Sequence, residues 1–96
     1  MKKGAVWIVE FPSVNGHEQY GLRPAIVIAD TETNVVTVIP CTANLQALRF
    51  PFTLRLDPSE KNGLDAATIA LLIQLRAIDR TRFVREIGVL EQNTII

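Results

Sequence analysis

Gly16-His17-Glu18-Gln19-Tyr20-Gly21-Leu22-Arg23-Pro24-Ala25-Ile26-Val27-Ile28-Ala29-Asp30 is a polar loop that breaks directly into an aliphatic run, and the break sets where a sheet begins. Ala25 to Ala29 reads as a buried strand. The turn composition of Asp30-Thr31-Glu32-Thr33-Asn34, followed by Val35 to Ile39, predicts an antiparallel hairpin that Pro40 ends. Pro24 fixes its own φ, lacks an amide donor and biases Arg23 towards extended geometry, which puts Arg23 at the strand start, on the rim of a sheet. Just upstream lie the single histidine, His17, with Glu18 and Gln19, so donors, acceptors and one group titrating near neutrality gather within a few residues.

Outside the hairpin, Ala5 to Phe11 is rich in Val, Ile and aromatic residues and stops at Pro12-Ser13, which predicts a first strand with Trp7 and Phe11 as core aromatics. The connection Pro12 to Leu22 is longer than common hairpin loops, a length that often goes with function in small domains. Cys41 to Arg49 reads as irregular, and the later half of Phe50 to Leu56 alternates like a half-exposed strand. Asp57 to Gly63 is turn-rich. Asp65 to Gln74 fits either a helix capped by Asp65 or a strand buried on both faces. Asp79 suits the cap of a short helical turn, and Val84 to Leu90 makes a final strand. Five or six short strands between turn signals predict a closed or partly closed antiparallel barrel.

The chain has 96 residues, 48% of them apolar, with ten Lys and Arg balanced by ten Asp and Glu, which fits one domain and not two independent cores. The apolar stretch near Ala66 to Ile73 falls short of the roughly 18 to 20 residues that span a membrane, and Met1 to Phe11 makes no convincing secretory signal, so a cytoplasmic protein is expected. Cys41 stands alone, which excludes an intramolecular disulfide, and with one histidine a structural zinc site is not expected. Zero net charge argues against bulk attraction to nucleic acid and for a local patch. Arg76, Arg80, Arg82 and Arg85 crowd one segment, a solvated face or a surface for RNA or an acidic tail.

Gly16-His17-Glu18-Gln19, Gly21-x-Arg23-Pro24-Ala25, Pro40-Cys41-Thr42, Gln74-x-Arg76-Ala77-Ile78-Asp79 and Ile87-Gly88-x-Leu90 follow in an order that resembles the MazF/PemK/Kid toxin family of bacterial type II toxin–antitoxin systems. The resemblance covers nearly the whole chain. It implies a mainly β, small SH3-like antiparallel barrel with short helical turns, and it decides Asp65 to Gln74 in favour of strand. It also implies a sequence-specific, metal-independent endoribonuclease that needs no cofactor and cleaves single-stranded RNA to 2′,3′-cyclic phosphate and 5′-hydroxyl ends. The implied partners are single-stranded RNA, a cognate antitoxin and a second copy in a homodimer; operator DNA is reached only through the antitoxin complex. The two apolar faces of Ala67 to Leu75 suit a central strand or a dimer seam.

By residue type, Arg23 is a surface arginine in a salt bridge, Thr42 a threonine capping local backbone and His17 a solvated loop residue. The resemblance assigns them more. Arg23 matches the family's catalytic arginine, Thr42 the hydroxyl residue that contacts the scissile phosphate, and His17 a histidine functional in the Kid branch. A neutral guanidine is hardly ever populated in a protein, so Arg23 is a poor general base; it is expected to stabilise charge and donate a proton, with His17 or Glu18 as base. Glu18 and Gln19 are expected to order the loop or contact bases, Tyr20 to stack a nucleobase, and Arg76 to contact RNA. The start of the second strand and the end of the third are placed at opposite ends of their hairpin, so Arg23 and Thr42 are expected to meet through loops.

The sequence departs from the pattern twice. On the strand before Gln74, Kid-like members carry an arginine and an acidic residue where this chain has Leu71 and Ile73. That substitution supports a second reading, a catalytically weakened or inactive member acting as an antitoxin-binding module, or a gyrase-poisoning relative. After Leu90 the family's C-terminal helix is expected to be shortened or missing within this single domain of residues 1–96, leaving Ile95 and Ile96 in need of cover.

Overall fold

Strand β1, Ala5–Phe11, carries apolar residues on both faces, and each face meets its own core. Ala5, Val9 and Phe11 join Ala25, Val27, Val36, Val38 and Ile78 in one buried cluster. Val6 joins Ile26, Ile39, Cys41, Ala70 and Leu90 in the other. The computed structural model describes residues 1–12 and 21–94. Its other strands are β2 (Gly21–Asp30), β3 (Val35–Thr42), β4 (Thr53–Leu56), β5 (Thr68–Leu71), β6 (Arg76–Asp79) and β7 (Phe83–Val89). Short 3-10 turns cover Leu45–Arg49, Leu72–Gln74 and Arg80–Arg82. The strand order is β4-β5-β3-β2-β1-β7 with β6 also paired to β3, and every pairing is antiparallel. This is a mainly β fold of the small barrel type that the sequence predicts.

Three boundaries differ from the sequence reading. First, β2 begins at Gly21 and not at Ala25, because its leading residues pair with β1, Arg23 opposite Val9 and Gly21 opposite Phe11. Arg23 is therefore the third residue of an interior strand, not a residue at a strand start. Second, β3 runs through Pro40 to Thr42. On its outer side β6 pairs with Val35 to Val38 and β5 with Cys41 and Thr42, so the proline falls at the break between two partners, where a missing amide costs least. Third, only Thr68–Leu71 of the ambiguous 65–74 segment is strand; all four residues are buried between β3 and β4, and the chain then turns at Leu72–Gln74.

The basic segment also disperses. Asp79 caps the Arg80–Arg82 turn by accepting from the Thr81 amide. Arg80 turns away from the others and forks onto Asp30, with Nη2 to Oδ1 at 2.6 Å and Nη1 to Oδ2 at 3.0 Å, while also donating to the Thr33 carbonyl. Arg82 faces Glu10 at 3.9 Å, at the outer limit of an ion pair. Arg80 and Arg82 are thus drawn to different carboxylates.

Asp30 is nearly enclosed, its side chain 3% exposed, and besides Arg80 it accepts from the Met1 ammonium at 2.6 Å and the Glu32 amide at 2.8 Å. The Arg80 hydrogen bonds, then the ammonium, then the Glu32 amide hold its carboxyl far below the usual carboxylate range. A depressed folded-state pKa contributes stability above the unfolded value of about 3.9, and that contribution drains away as pH falls below it towards the folded value. Urea midpoints are therefore expected to drop between about pH 5 and pH 2, and to drop less steeply in Asp30→Asn, which cannot titrate there. Parallel curves for the two proteins would remove Asp30 as the cause.

The sheet's two outer strands are joined by a loop and not by direct pairing. Asn62, 3% exposed, accepts through Oδ1 from the Ser59 and Leu64 amides and donates through Nδ2 to the Asp57 carbonyl, which rigidifies residues 57–64. That loop reaches β7, where the Val89 amide donates to the Lys61 carbonyl at 2.8 Å. Among the described residues no helix is long and apolar enough to cross a membrane.

Candidate nuclease site

The sense of the hairpin sets two of the predicted residues, Arg23 and Thr42, at one end of it. In an antiparallel pair the start of β2 and the end of β3 lie at the same end; here Ala25 faces Pro40, Ile26 faces Ile39 and Val27 faces Val38. Continuing that register by two residues sets Arg23 across from Thr42, on the face shared by Ala25 and Pro40. Both side chains therefore issue from strands, which corrects the expectation of two loops at opposite ends.

Arg76, first residue of β6, pairs with Val38 and lies on the same face. Its guanidinium carbon sits 4.7 Å from the centroid of the Phe11 ring. Phe11 is 2% exposed and closes the end of β1, so the core reading of this residue holds, and it has a further use as the plate on which Arg76 rests. Sequence reasoning did not find that pairing. Its only signal is that Phe11 ends the first strand while Arg76 stands in the Gln74-x-Arg76 motif.

Thr42 is buried, 6% exposed, and its Oγ1 accepts from the Asn44 amide at 3.1 Å. That is the local backbone role expected from residue type, and it fixes the hydroxyl while leaving its proton to be donated. Cys41, between Pro40 and Thr42, points into the opposite core and donates weakly to the Ile39 carbonyl at 3.7 Å. Burial pushes its thiol up to about 12, so it is neither nucleophile nor base at neutral pH. Ellman's reagent is expected to leave Cys41 unmodified in the native protein and to titrate it at once in denaturant; rapid native labelling would contradict this burial.

His17, Glu18, Gln19 and Tyr20 lie outside the described residues. Of the two residues of the first departure from the family pattern, Leu71 ends β5 at 5% exposure, whereas Ile73 sits in the following turn at 68% exposure and is not on the strand. Neither can ionise.

Comparison with known proteins shows the family. A family model described as "PemK-like, MazF-like toxin of type II toxin-antitoxin system" matches residues 2–96. Endoribonuclease EndoA of Bacillus subtilis is 31% identical over 91 residues, covering 91% of this chain and 78% of its own length. Endoribonuclease MazF of Staphylococcus saprophyticus is 30% identical over 86 residues, covering 85% and 71% respectively. The MazF of Staphylococcus epidermidis is 26% identical over 100 positions, covering all of this chain and 82% of its own. A match that runs through every strand places this chain in the family of PemK-like, MazF-like toxins of type II toxin–antitoxin systems.

Proposed function

We propose that the protein is the toxin of a type II toxin–antitoxin pair and acts as a metal-independent endoribonuclease on single-stranded RNA. What supports this reading is the β2–β3 register, which, continued two residues beyond Ala25 and Pro40, sets Arg23 across from Thr42, with Arg76 on the same face. In the reaction the RNA's 2′-oxygen forms a bond to phosphorus as the bond to the 5′-oxygen breaks, giving a 2′,3′-cyclic phosphate and a 5′-hydroxyl. A base takes the 2′-proton and an acid delivers one to the leaving oxygen, while cations offset charge growing on the phosphoryl oxygens. Arg23 supplies fork-shaped positive charge and the proton; the Thr42 hydroxyl donates to a phosphoryl oxygen; His17 or Glu18 serves as base. An antitoxin segment laid over the Arg23 face inhibits by occupying it.

Incubation with a long unstructured RNA, followed by analysis of product ends, tests the proposal. Cyclic phosphate ends that appear in EDTA and vanish with Arg23→Ala support it; intact RNA sinks it. A second reading, an antitoxin-binding module without nuclease activity, is favoured by the apolar Leu71 and Ile73, and tight antitoxin binding beside intact RNA would select it.

The functional unit we propose is a homodimer. Leu45, Leu48, Phe50, Phe52, Ile73 and Leu75 are all exposed apolar residues on adjoining elements, tied by the Leu72 amide to the Phe52 carbonyl at 3.0 Å. Such a patch is costly in water and suits a self-complementary seam. Sedimentation is expected to show a dimer that Phe52→Asp/Ile73→Asp converts to monomer; a wild-type monomer at tens of micromolar would refute it.

A further inference from the structure

The sequence carries two Asn-Gly steps: Asn15-Gly16, which lies outside the described residues, and Asn62-Gly63, in the loop that reaches β7. An asparagine before glycine is the step most open to spontaneous deamidation, because no Cβ shields the glycine nitrogen from the side-chain carbonyl carbon beside it. Asn34, Asn44 and Asn93 precede Val, Leu and Thr, whose side chains do shield it. Both reacting groups of the 62–63 step are held in the fold. Asn62 is 3% exposed; its Oδ1 accepts from the Ser59 and Leu64 amides, and its Nδ2 donates to the Asp57 carbonyl at 2.9 Å. The Gly63 amide, whose nitrogen is the attacking atom in deamidation, donates to the Ser59 carbonyl at 3.0 Å. Ser59 fastens the asparagine from a second side, since its hydroxyl accepts from the Asn62 amide at 3.1 Å and donates to Glu91 at 2.7 Å.

We infer that Asn62-Gly63 is a self-modification site that the native loop keeps shut, so that opening of residues 57–64 exposes the chain to an irreversible change in its own backbone. In the opened loop the Gly63 nitrogen loses its proton to hydroxide and attacks Asn62 Cγ. The Cγ–N bond forms, the Cγ–Nδ2 bond breaks, and Nδ2 takes up a proton and leaves as ammonia. Solvent water then opens the cyclic imide, at Cγ to give aspartate or at the backbone carbonyl to give isoaspartate. Neither product fits back. Aspartate puts a carboxylate oxygen where Nδ2 donated, against the Asp57 carbonyl and with almost no access to water. Isoaspartate lengthens the main chain where there is no room: a Cβ added at Gly88 already meets the Asn62 carbonyl group and the Lys61 oxygen, and one added at Gly63 meets the Ile87 carbonyl. The modified loop cannot lie on β7, and the Val89 to Lys61 hydrogen bond that fastens it there is lost. How often this loop opens therefore sets how long a molecule stays able to fold, whether or not the chain cleaves RNA.

The test is peptide-mapping mass spectrometry of the intact chain after incubation in mildly alkaline buffer, native and in guanidinium chloride. In guanidinium, Asn62 and Asn15 are expected to convert at comparable rates to aspartate and isoaspartate. In the native chain Asn62 should convert more slowly by about tenfold or more, a factor set by the free energy of opening the loop. Ser59→Ala, which removes both hydroxyl contacts, should raise the native rate several-fold and leave the guanidinium rate unchanged. Across the two proteins the native rate should follow hydrogen exchange of the Val89 amide. Asn62→Asp should have a lower urea midpoint than the parent, and aged chains that carry the converted residue should fail to refold while unconverted chains from the same sample succeed. Conversion of Asn62 as fast in the native chain as in guanidinium, an Asn62 that stays intact in guanidinium while Asn15 converts, a native rate that does not follow Val89 exchange, or converted chains that refold to full stability would overturn the inference.

Discussion

Arg23→Ala loses RNA cleavage by about two to three orders of magnitude while its urea midpoint stays close to that of the parent. The size follows from removing a preorganised charge donor aimed where negative charge develops, worth roughly 10²- to 10³-fold in comparable sites. The sheet survives the change because the pairing with Val9 runs through the Arg23 backbone, which alanine keeps. Arg23→Lys restores charge without the fork and is expected to recover only a minor part of the rate, because a point cation cannot hold two phosphoryl oxygens in one plane. Single-turnover assays at saturating enzyme separate this from weaker RNA binding. Full rescue by lysine would mean that only net positive charge matters and would remove the orienting role given to the guanidinium.

How much of this was legible in the sequence depends on whether a residue's partner is near it in the chain. β1 was readable to its boundaries, because dense β-branched residues ended by Pro12-Ser13 have one sensible reading. The Asp79 cap was readable for the same reason, a side chain meeting an amide two residues away. Gly21 and Leu22 looked like the end of the polar loop that precedes them, and they become strand only through pairing with Glu10 and Phe11. Pro40 looked like a terminator because proline breaks ladders, yet here a change of partner from β6 to β5 makes room for it. The mistaken separation of Arg23 and Thr42 came from treating the hairpin's open end as two ends; its antiparallel sense alone puts them together. The seat of Arg76 on Phe11 joins the first strand to the sixth and leaves no local trace. Arg80 resembled a nucleic-acid arginine until Asp30, at the far end of β2, claimed it.

Gly88→Ala is expected to be severely damaging, although Gly88 has ordinary strand geometry and the change adds only a methyl group. An added Cβ would overlap the Lys61 carbonyl oxygen and the Asn62 carbonyl group, which are backbone atoms and have no rotamer to change. Gly63, at φ +71°, faces the same problem from the other side, since its added Cβ would run into the Ile87 carbonyl. The two glycines thus let the 57–64 loop lie directly on β7 and close the sheet where β4 and β7 do not pair. Forcing them apart strains the strand by about 1 to 3 kcal/mol or more and puts the Val89 to Lys61 hydrogen bond at risk for about another 1 kcal/mol. Against a total stability of about 5 to 15 kcal/mol, a loss of about 3 kcal/mol lowers Tm by roughly 15 °C in a domain of this size. Gly4→Ala supplies the comparison: at φ +90° with open space around its Cβ it should pay only left-handed backbone strain, about 1 to 2 kcal/mol. Thermal melts of the three alanine variants decide the matter. If Gly88→Ala melts no lower than Gly4→Ala, the loop yields easily and the barrel is not closed by this backbone contact.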